Sequence, residues 1–156
     1  MAIQTGQKAP DFTLFDTEKN KVTLSDYKGK NVLLLFFPLA FTSVCTKELC
    51  NIRDGITFYN DSNAQVFGIS VDALFSLGKF REEQHLNFPL LSDFNKETSA
   101  AYGSLYETWK YDMKGVSKRS AFVIDKEGIV RYAEVLEDTL DLPDFEAINQ
   151  LLTSFA

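Results

Sequence analysis

Two cysteines that follow an apolar run in the first third of the chain are the residues most suited to chemistry. Cys45 and Cys50 are the only cysteines among the 156 residues, and Cys45 follows Pro38 by seven positions and Thr42 by three. Residues 32–37 (VLLLFF) are all apolar, which indicates a strand that is covered on both faces. Pro38 has no N–H for a sheet ladder, so it ends that strand, and a helix is predicted after the loop.

Cys45 is predicted to lie in the first turn of that helix. The hydroxyl of Thr42 or Ser43 is suited to be the N-cap, because it can accept a hydrogen bond from an N–H group of the first turn. These N–H groups and the helix dipole favour a thiolate at Cys45, and a thiolate attacks electrophiles. The alternative is an inert packing residue, because free cysteines are among the most buried residues of proteins.

The spacing Pro38-x-x-x-Thr42-x-x-Cys45 after an apolar strand resembles the signature loop of the peroxiredoxins, which are thiol peroxidases with a thioredoxin-like fold. The segments GQKAPDFTL, NFPLLSDFNKETSAAYG and KRSAFVIDKEGIVRYAEV resemble further peroxiredoxin segments. Within the family, FFPLAFTSVC and FPLLSDF are most similar to the one-cysteine AhpE type. Cys50 instead stands where the PrxQ (bacterioferritin-comigratory) type carries a second cysteine.

The resemblance implies roles for five residues. Cys45 would be the nucleophile, Thr42 would hydrogen-bond the peroxide, and Pro38 would shield the thiolate from water. Arg119, in the segment RSAFVID, would face the thiolate with its rigid fork of donors and stabilise the oxygen charge that develops as the O–O bond breaks. Glu48, one helical turn after Cys45, would orient that arginine.

Three of these residues also have a plainer interpretation. Thr42 could be an N-cap and nothing more. Arg119 could pair with a surface carboxylate, an interaction that contributes little net energy. Glu48 is a good helix former, and we expect it on the exposed face of the helix.

Cys50 has two alternative roles. By resemblance to the PrxQ type it would resolve a sulfenic acid on Cys45 by forming a disulfide, whereas in a one-cysteine enzyme it would only pack. In an intact helix, residues five apart have Cα atoms ~8–9 Å from each other, beyond the ~7 Å limit for a disulfide. Resolution therefore requires the first turns of the helix to open.

The composition is that of an ordinary globular protein. Hydrophobic residues make up 45% and charged residues 24%, and the length suits one domain over residues 1–156. The net charge of −6 argues against a nucleic-acid partner, which needs a basic face. No apolar run reaches membrane-spanning length, and a single histidine with two cysteines makes no metal set. We expect no cofactor, no membrane partner and a cytoplasmic location.

The alternation of apolar patterns predicts an α/β protein with a thioredoxin-like fold. Its central mixed sheet would carry helices on both faces and an N-terminal β-hairpin extension. The helix after Pro38 is predicted to bury one face as far as Tyr59, and residues 105–115 are ambiguous. The predicted elements are a hairpin in residues 12–24, strands 32–37, 65–71 and 88–91, helices ending near 59, 85 and 102, a hairpin in residues 120–135, and a last helix from Pro143.

The function that the peroxiredoxin resemblance implies is that of a thiol-dependent peroxidase. Its substrates would be hydrogen peroxide and organic hydroperoxides, with peroxynitrite as a further candidate, and Cys45 would pass through a sulfenic acid. Thioredoxin, glutaredoxin or a low-molecular-weight thiol would reduce it. A homodimer is expected because the loops at the active-site end carry apolar residues. The alternative is a non-catalytic redox-sensing thioredoxin-like binding module.

Overall fold

Seven strands form one sheet in the computed structural model, which describes residues 3–155. The strand order is β2-β1-β5-β4-β3-β6-β7, with β3, β4 and β5 parallel and all other neighbours antiparallel. The strands are β1 Thr13–Asp16, β2 Lys21–Thr23, β3 Asn31–Phe36, β4 Ala64–Ser70, β5 Leu90–Ser92, β6 Ser120–Ile124 and β7 Val130–Val135. The α-helices are α1 Ser43–Asp54, α2 Ile56–Asp61, α3 Leu74–Glu83, α4 Glu97–Ala101 and α5 Phe145–Ser154.

The N-terminal hairpin belongs to the same sheet as the core strands. β1 pairs with β5 in antiparallel register, with Phe15 opposite Ser92. The prediction of a mixed sheet with an N-terminal hairpin is therefore confirmed, and the hairpin forms one edge of that sheet.

The apolar run that begins at Val32 is buried on both faces of the sheet, as its composition predicts. Leu33 and Leu35 pack into the core beneath α1, α2, α3 and α5. Leu34 and Phe36 pack into a second core, which contains Tyr102 at the end of α4 and residues of the N-terminal hairpin. Full burial of a Leu or Phe side chain contributes ~1.5–3 kcal/mol, so this strand anchors both cores.

The helix after Pro38 is shorter than the predicted pattern indicates. α1 ends at Asp54 and α2 begins at Ile56, so the prediction of one continuous helical face as far as Tyr59 is wrong. Gly55 separates the two helices with φ −104° and ψ 15°. A glycine inside a helix is unfavourable by about 1 kcal/mol relative to alanine, which explains the break at this residue. Tyr59 is nevertheless buried in the same core.

The ambiguous stretch between α4 and β6 forms a narrow hairpin. Isolated bridges join Leu105 to Ser117 and Thr108 to Lys114. We refer to residues 105–117 as the 105–117 hairpin.

Among the described residues, no helix has the length and apolar character that a membrane span requires.

Candidate active site

Cys45 lies in the first turn of α1, where the sequence predicts it. The loop after β3 turns the chain into the helix, and its Ala40 N–H donates a 2.9 Å hydrogen bond to Asp72 Oδ2. Cys45 is the third residue of α1 and is buried, and Thr42 occupies the N-cap position. The thiol is thus held at the positive end of the helix dipole.

Arg119 reaches this thiol from the start of β6. Its Nη2 donates to Cys45 Sγ at 3.2 Å, and its Nη1 donates to Glu48 Oε1 at 2.6 Å. Nε and Nη2 both donate to the Thr139 carbonyl, at 3.2 and 3.0 Å. The residue is only 1% exposed. The contact that the family resemblance implied is therefore present, and the guanidinium is held by three separate partners.

Glu48 is buried, which corrects the expectation of an exposed helical face. Its exposure is 0%, because α1 turns this side chain towards Arg119 in the interior. Burial raises the pKa of Glu48 to about 7, although the charge and hydrogen bond of Arg119 act in the opposite direction. Among the described residues Oε2 has no hydrogen-bond partner. A helical pattern alone classes glutamate as exposed, and only the distant arginine makes its burial tolerable.

Arg119 remains a cation in this buried setting. Burial disfavours its charge, but the neighbouring Glu48 and Cys45 outweigh that penalty and raise the pKa of the guanidinium. The site therefore holds one fixed positive charge between two groups that can be negative. Both of these groups lie within hydrogen-bond distance of the guanidinium.

Thr42 does not act as a side-chain cap, which corrects a second expectation. Its Oγ1 donates a 2.8 Å hydrogen bond to the Leu39 carbonyl instead of accepting one from the first turn of α1. The α1 first turn is stabilised by backbone contacts such as Thr46 N–H to the Thr42 carbonyl at 3.0 Å. Because the hydroxyl proton is engaged, the oxygen of Thr42 can offer its lone pairs to a ligand as an acceptor.

A pocket of about 190 Å³ opens over these groups. It brings together Pro38, Thr42, Cys45 and Arg119, which are the four residues that the sequence singles out as catalytic candidates. Trp109, Tyr111, Thr139 and Leu140, among others, also line it, and the sequence singled out none of these four as a catalytic candidate.

These four additional residues come from loops without a chemical motif. Thr139 contributes a backbone carbonyl, which every residue type possesses. Trp109 and Tyr111 lie in the 105–117 hairpin, and Leu140 lies between β7 and α5. Only the aromatic residues of the hairpin, Tyr106, Trp109 and Tyr111, set this stretch apart in the sequence.

Cys50 lies outside the pocket on the same unbroken helix. It is half-buried, and its Sγ donates a 3.5 Å hydrogen bond to Gln84 Oε1. Cys45 and Cys50 are both free thiols here. The structure therefore represents the reduced protein with α1 intact.

Comparison with known proteins shows which family the chain resembles. The AhpC/TSA family profile matches residues 5–133. The chain is 40% identical to alkyl hydroperoxide reductase E of Mycobacterium tuberculosis over 136 residues, which cover 85% of this chain and 86% of that protein. It is also 40% identical to a chloroplastic 2-cysteine peroxiredoxin of Chattonella marina var. antiqua over 146 residues, which cover 86% of this chain and 72% of that protein.

A solved structure is similar over nearly the whole chain. The crystal structure of peroxidoxin BcpB from Mycobacterium tuberculosis superposes with a TM-score of 0.83 and 30% identity, covering 98% of this chain and 96% of that one. The fold is that of the thioredoxin-like peroxiredoxins. The chain belongs to the AhpC/TSA family, the peroxiredoxins. Its enzyme class is therefore that of the thiol-dependent peroxidases, which are oxidoreductases.

Proposed function

We propose that Cys45 is the nucleophile of a thiol-dependent peroxidase reaction. The thiolate attacks the terminal oxygen of a hydroperoxide, an S–O bond forms, and the O–O bond breaks with its electron pair leaving on the other oxygen. Cys45 becomes a sulfenic acid, and water or an alcohol is released after protonation. Two equivalents of thiol then return Cys45 to the reduced state and leave a disulfide and water. The observation that carries this proposal is the 3.2 Å contact of Arg119 with Cys45 Sγ.

The surrounding groups have separable tasks in this reaction. Arg119 stabilises first the thiolate and then the charge on the departing oxygen. Thr42 accepts a hydrogen bond from the peroxide O–H, because its own proton is committed to Leu39. Pro38 covers the sulfur against water. Glu48 is a positioning residue that acts through Arg119 at 2.6 Å.

Hydrogen peroxide and organic hydroperoxides are the proposed substrates, with peroxynitrite as a further candidate. We propose thioredoxin, glutaredoxin or a low-molecular-weight thiol as the reductant. We propose a cytoplasmic location, where thiols are kept reduced and a catalytic disulfide is transient. The pocket opens to solvent beside the sulfur, so a small peroxide needs no domain movement to enter.

The test is sustained turnover with dithiothreitol as the reductant. We expect the wild-type protein to consume many equivalents of hydrogen peroxide, and Cys45→Ser to show only the rate of the reagents without protein. The matched control is Cys50→Ser, which keeps the Cys45 site intact and should still consume peroxide with dithiothreitol. A single stoichiometric oxidation followed by no further turnover would favour the redox-sensing module.

We also propose a homodimer that forms through the active-site end of the fold. Phe41, in the loop before α1, and Phe75, in the first turn of α3, are exposed large rings at this end. Large exposed apolar surface is typical of protein interfaces, and these two rings are the candidates for such a surface. Light scattering at micromolar concentration is expected to give twice the 17.7 kDa chain mass. Phe75→Glu should reduce the mass to that of one chain, whereas a monomeric wild-type protein would contradict the proposal.

A further inference from the structure

The tip of the 105–117 hairpin holds a tyrosine in a strained conformation beside the reactive thiol. Tyr111 has φ 58° and ψ 30°, and the next residue, Asp112, has φ 59°. The Met113 N–H donates to the Lys110 carbonyl at 3.2 Å and closes the turn. Turns with two consecutive left-handed residues are normally built from Asn-Gly or Asp-Gly, which adopt this conformation with little strain. A tyrosine at the first of these positions costs strain energy, and such strain is typical of residues with a functional role.

The position of the Tyr111 ring indicates such a role. Tyr111 is 90% exposed, yet it forms part of the wall of the pocket that contains Cys45 and Arg119. Leu140 lines the same pocket from the loop after β7 and is 63% exposed. Two large apolar side chains at the mouth of a reactive pocket present surface that a bound apolar group would remove from water.

Trp109 also lines the mouth, but other side chains of the protein already cover its ring. The Trp109 ring stacks on Tyr106 with centroids 6.4 Å apart, and the Lys110 ammonium lies 5.6 Å from its centroid. Trp109 is half-buried as a result. Among the apolar residues that line the pocket, Tyr111 and Leu140 are therefore the two with large exposed side chains.

Both sides of the mouth are fixed relative to each other. Tyr106 of the 105–117 hairpin donates its hydroxyl to the Glu137 carbonyl at 2.5 Å. Lys118, directly after that hairpin, forms a 2.7 Å ion pair with the Glu137 side chain. Arg119 also holds the Thr139 carbonyl next to Leu140. These contacts, one of which comes from Arg119, hold the hairpin beside the segment that contains Leu140.

The geometry points to Tyr111 and Leu140 as a clamp for the apolar substituent of an organic hydroperoxide. This inference rests on the proposed peroxidase reaction and names the residues that determine its specificity. A hydroperoxide with an aryl or branched alkyl substituent would place its terminal oxygen at Cys45 and its carbon groups between the two side chains. Hydrogen peroxide has no such substituent and would gain nothing from the clamp, so Tyr111 discriminates between the two classes.

The experiment compares cumene hydroperoxide with hydrogen peroxide in single-turnover oxidation of reduced protein. Trp109 is the only tryptophan and lines the pocket, so its fluorescence reports Cys45 oxidation without any reductant. Tyr111→Asn removes the ring but keeps a side chain that tolerates the left-handed turn. We expect the second-order rate constant for cumene hydroperoxide to fall about tenfold, equivalent to about 1.4 kcal/mol, and that for hydrogen peroxide to stay within about twofold.

Two controls accompany this comparison. Tyr111→Phe retains the ring and should keep the wild-type ratio of the rate constants for the two peroxides. Tyr111→Asn should raise Tm by roughly 1–3 °C, because it relieves the backbone strain. Equal losses with both peroxides, no loss with either, or a Tm lowered by several degrees would overturn the clamp. Wild-type protein that reacts with neither peroxide, or Cys45→Ser that reacts with both, would instead overturn the peroxidase proposal and this inference with it.

Discussion

Replacement of Arg119 by leucine is expected to slow the oxidation of Cys45 by hydrogen peroxide by about 10³-fold. The guanidinium contacts the sulfur directly and is buried, so no solvent cation can substitute for it. Removal of one fixed donor at a developing oxyanion typically lowers the rate 10²–10³-fold. The variant also lacks the contact between the guanidinium and the sulfur of Cys45. Stopped-flow fluorescence gives the oxidation rate, and a pH series of iodoacetamide labelling gives the fraction of reactive thiolate. A labelling profile identical to that of the wild-type protein would contradict the proposed effect of Arg119 on the Cys45 thiol.

The single variant needs a folding control, because it leaves a buried carboxyl group without its partner. Breaking one side of a buried ion pair typically costs 3–5 kcal/mol, while replacing both sides by apolar residues is often neutral. Arg119→Leu combined with Glu48→Leu removes both charges and should recover most of the stability in urea unfolding. The double variant should oxidise as slowly as Arg119→Leu. Recovery of the rate together with the stability would mean that Arg119 acts through folding alone.

Trapping of the oxidised protein is expected to show that Cys50 resolves the sulfenic acid on Cys45. After one equivalent of peroxide, the wild-type protein should contain no free thiols and little dimedone adduct, and Cys50→Ser should give a strong adduct. The PrxQ-like position of Cys50 motivates this expectation. Equal, long-lived adducts in both proteins would contradict it and would make this a one-cysteine enzyme.

The structure indicates where the helix has to open for this disulfide. α1 is continuous from Ser43 to Asp54, so both cysteines lie on one intact helix. Its C-terminal half is tied to the segment after α3, because Arg53 Nη1 donates to the Gln84 carbonyl at 2.6 Å and Asn87 Nδ2 donates to the Arg53 carbonyl at 3.2 Å. The first turn lacks a side-chain cap, which is commonly worth ~1 kcal/mol. Opening is therefore expected at the Cys45 end, while Cys50 stays in place.

A second measurement tests this direction of opening. Amides of residues 43–49 should exchange hydrogen faster in the disulfide form than in the reduced form, whereas amides near Arg53 should keep their protection. Faster exchange confined to the end of α1 would contradict the proposed opening.

Local chemistry in the sequence was sufficient to locate the proposed nucleophile and the helix that carries it. Pro38, Thr42 and Cys45 lie within eight residues, and their positions depend on a buried strand, a proline that ends it and a helix start. Each of these is a short-range property that a pattern of residue types expresses. The mixed sheet could be predicted for the same reason, because alternating strands and helices leave few ways to connect them.

Long-range contacts decided the rest of the site. Glu48 belongs by pattern to an exposed helical face, but an arginine 71 positions later in the chain turns that face into the interior. Thr42 has the composition of a helix cap, yet the loop offers its hydroxyl the Leu39 carbonyl instead. Thr139, Tyr111 and Leu140 enter the pocket through a backbone carbonyl and two loop side chains, for which residue type carries no signal. Tertiary packing alone brings these groups to Cys45, because a buried charge and an open pocket wall are defined by neighbours that are distant in sequence.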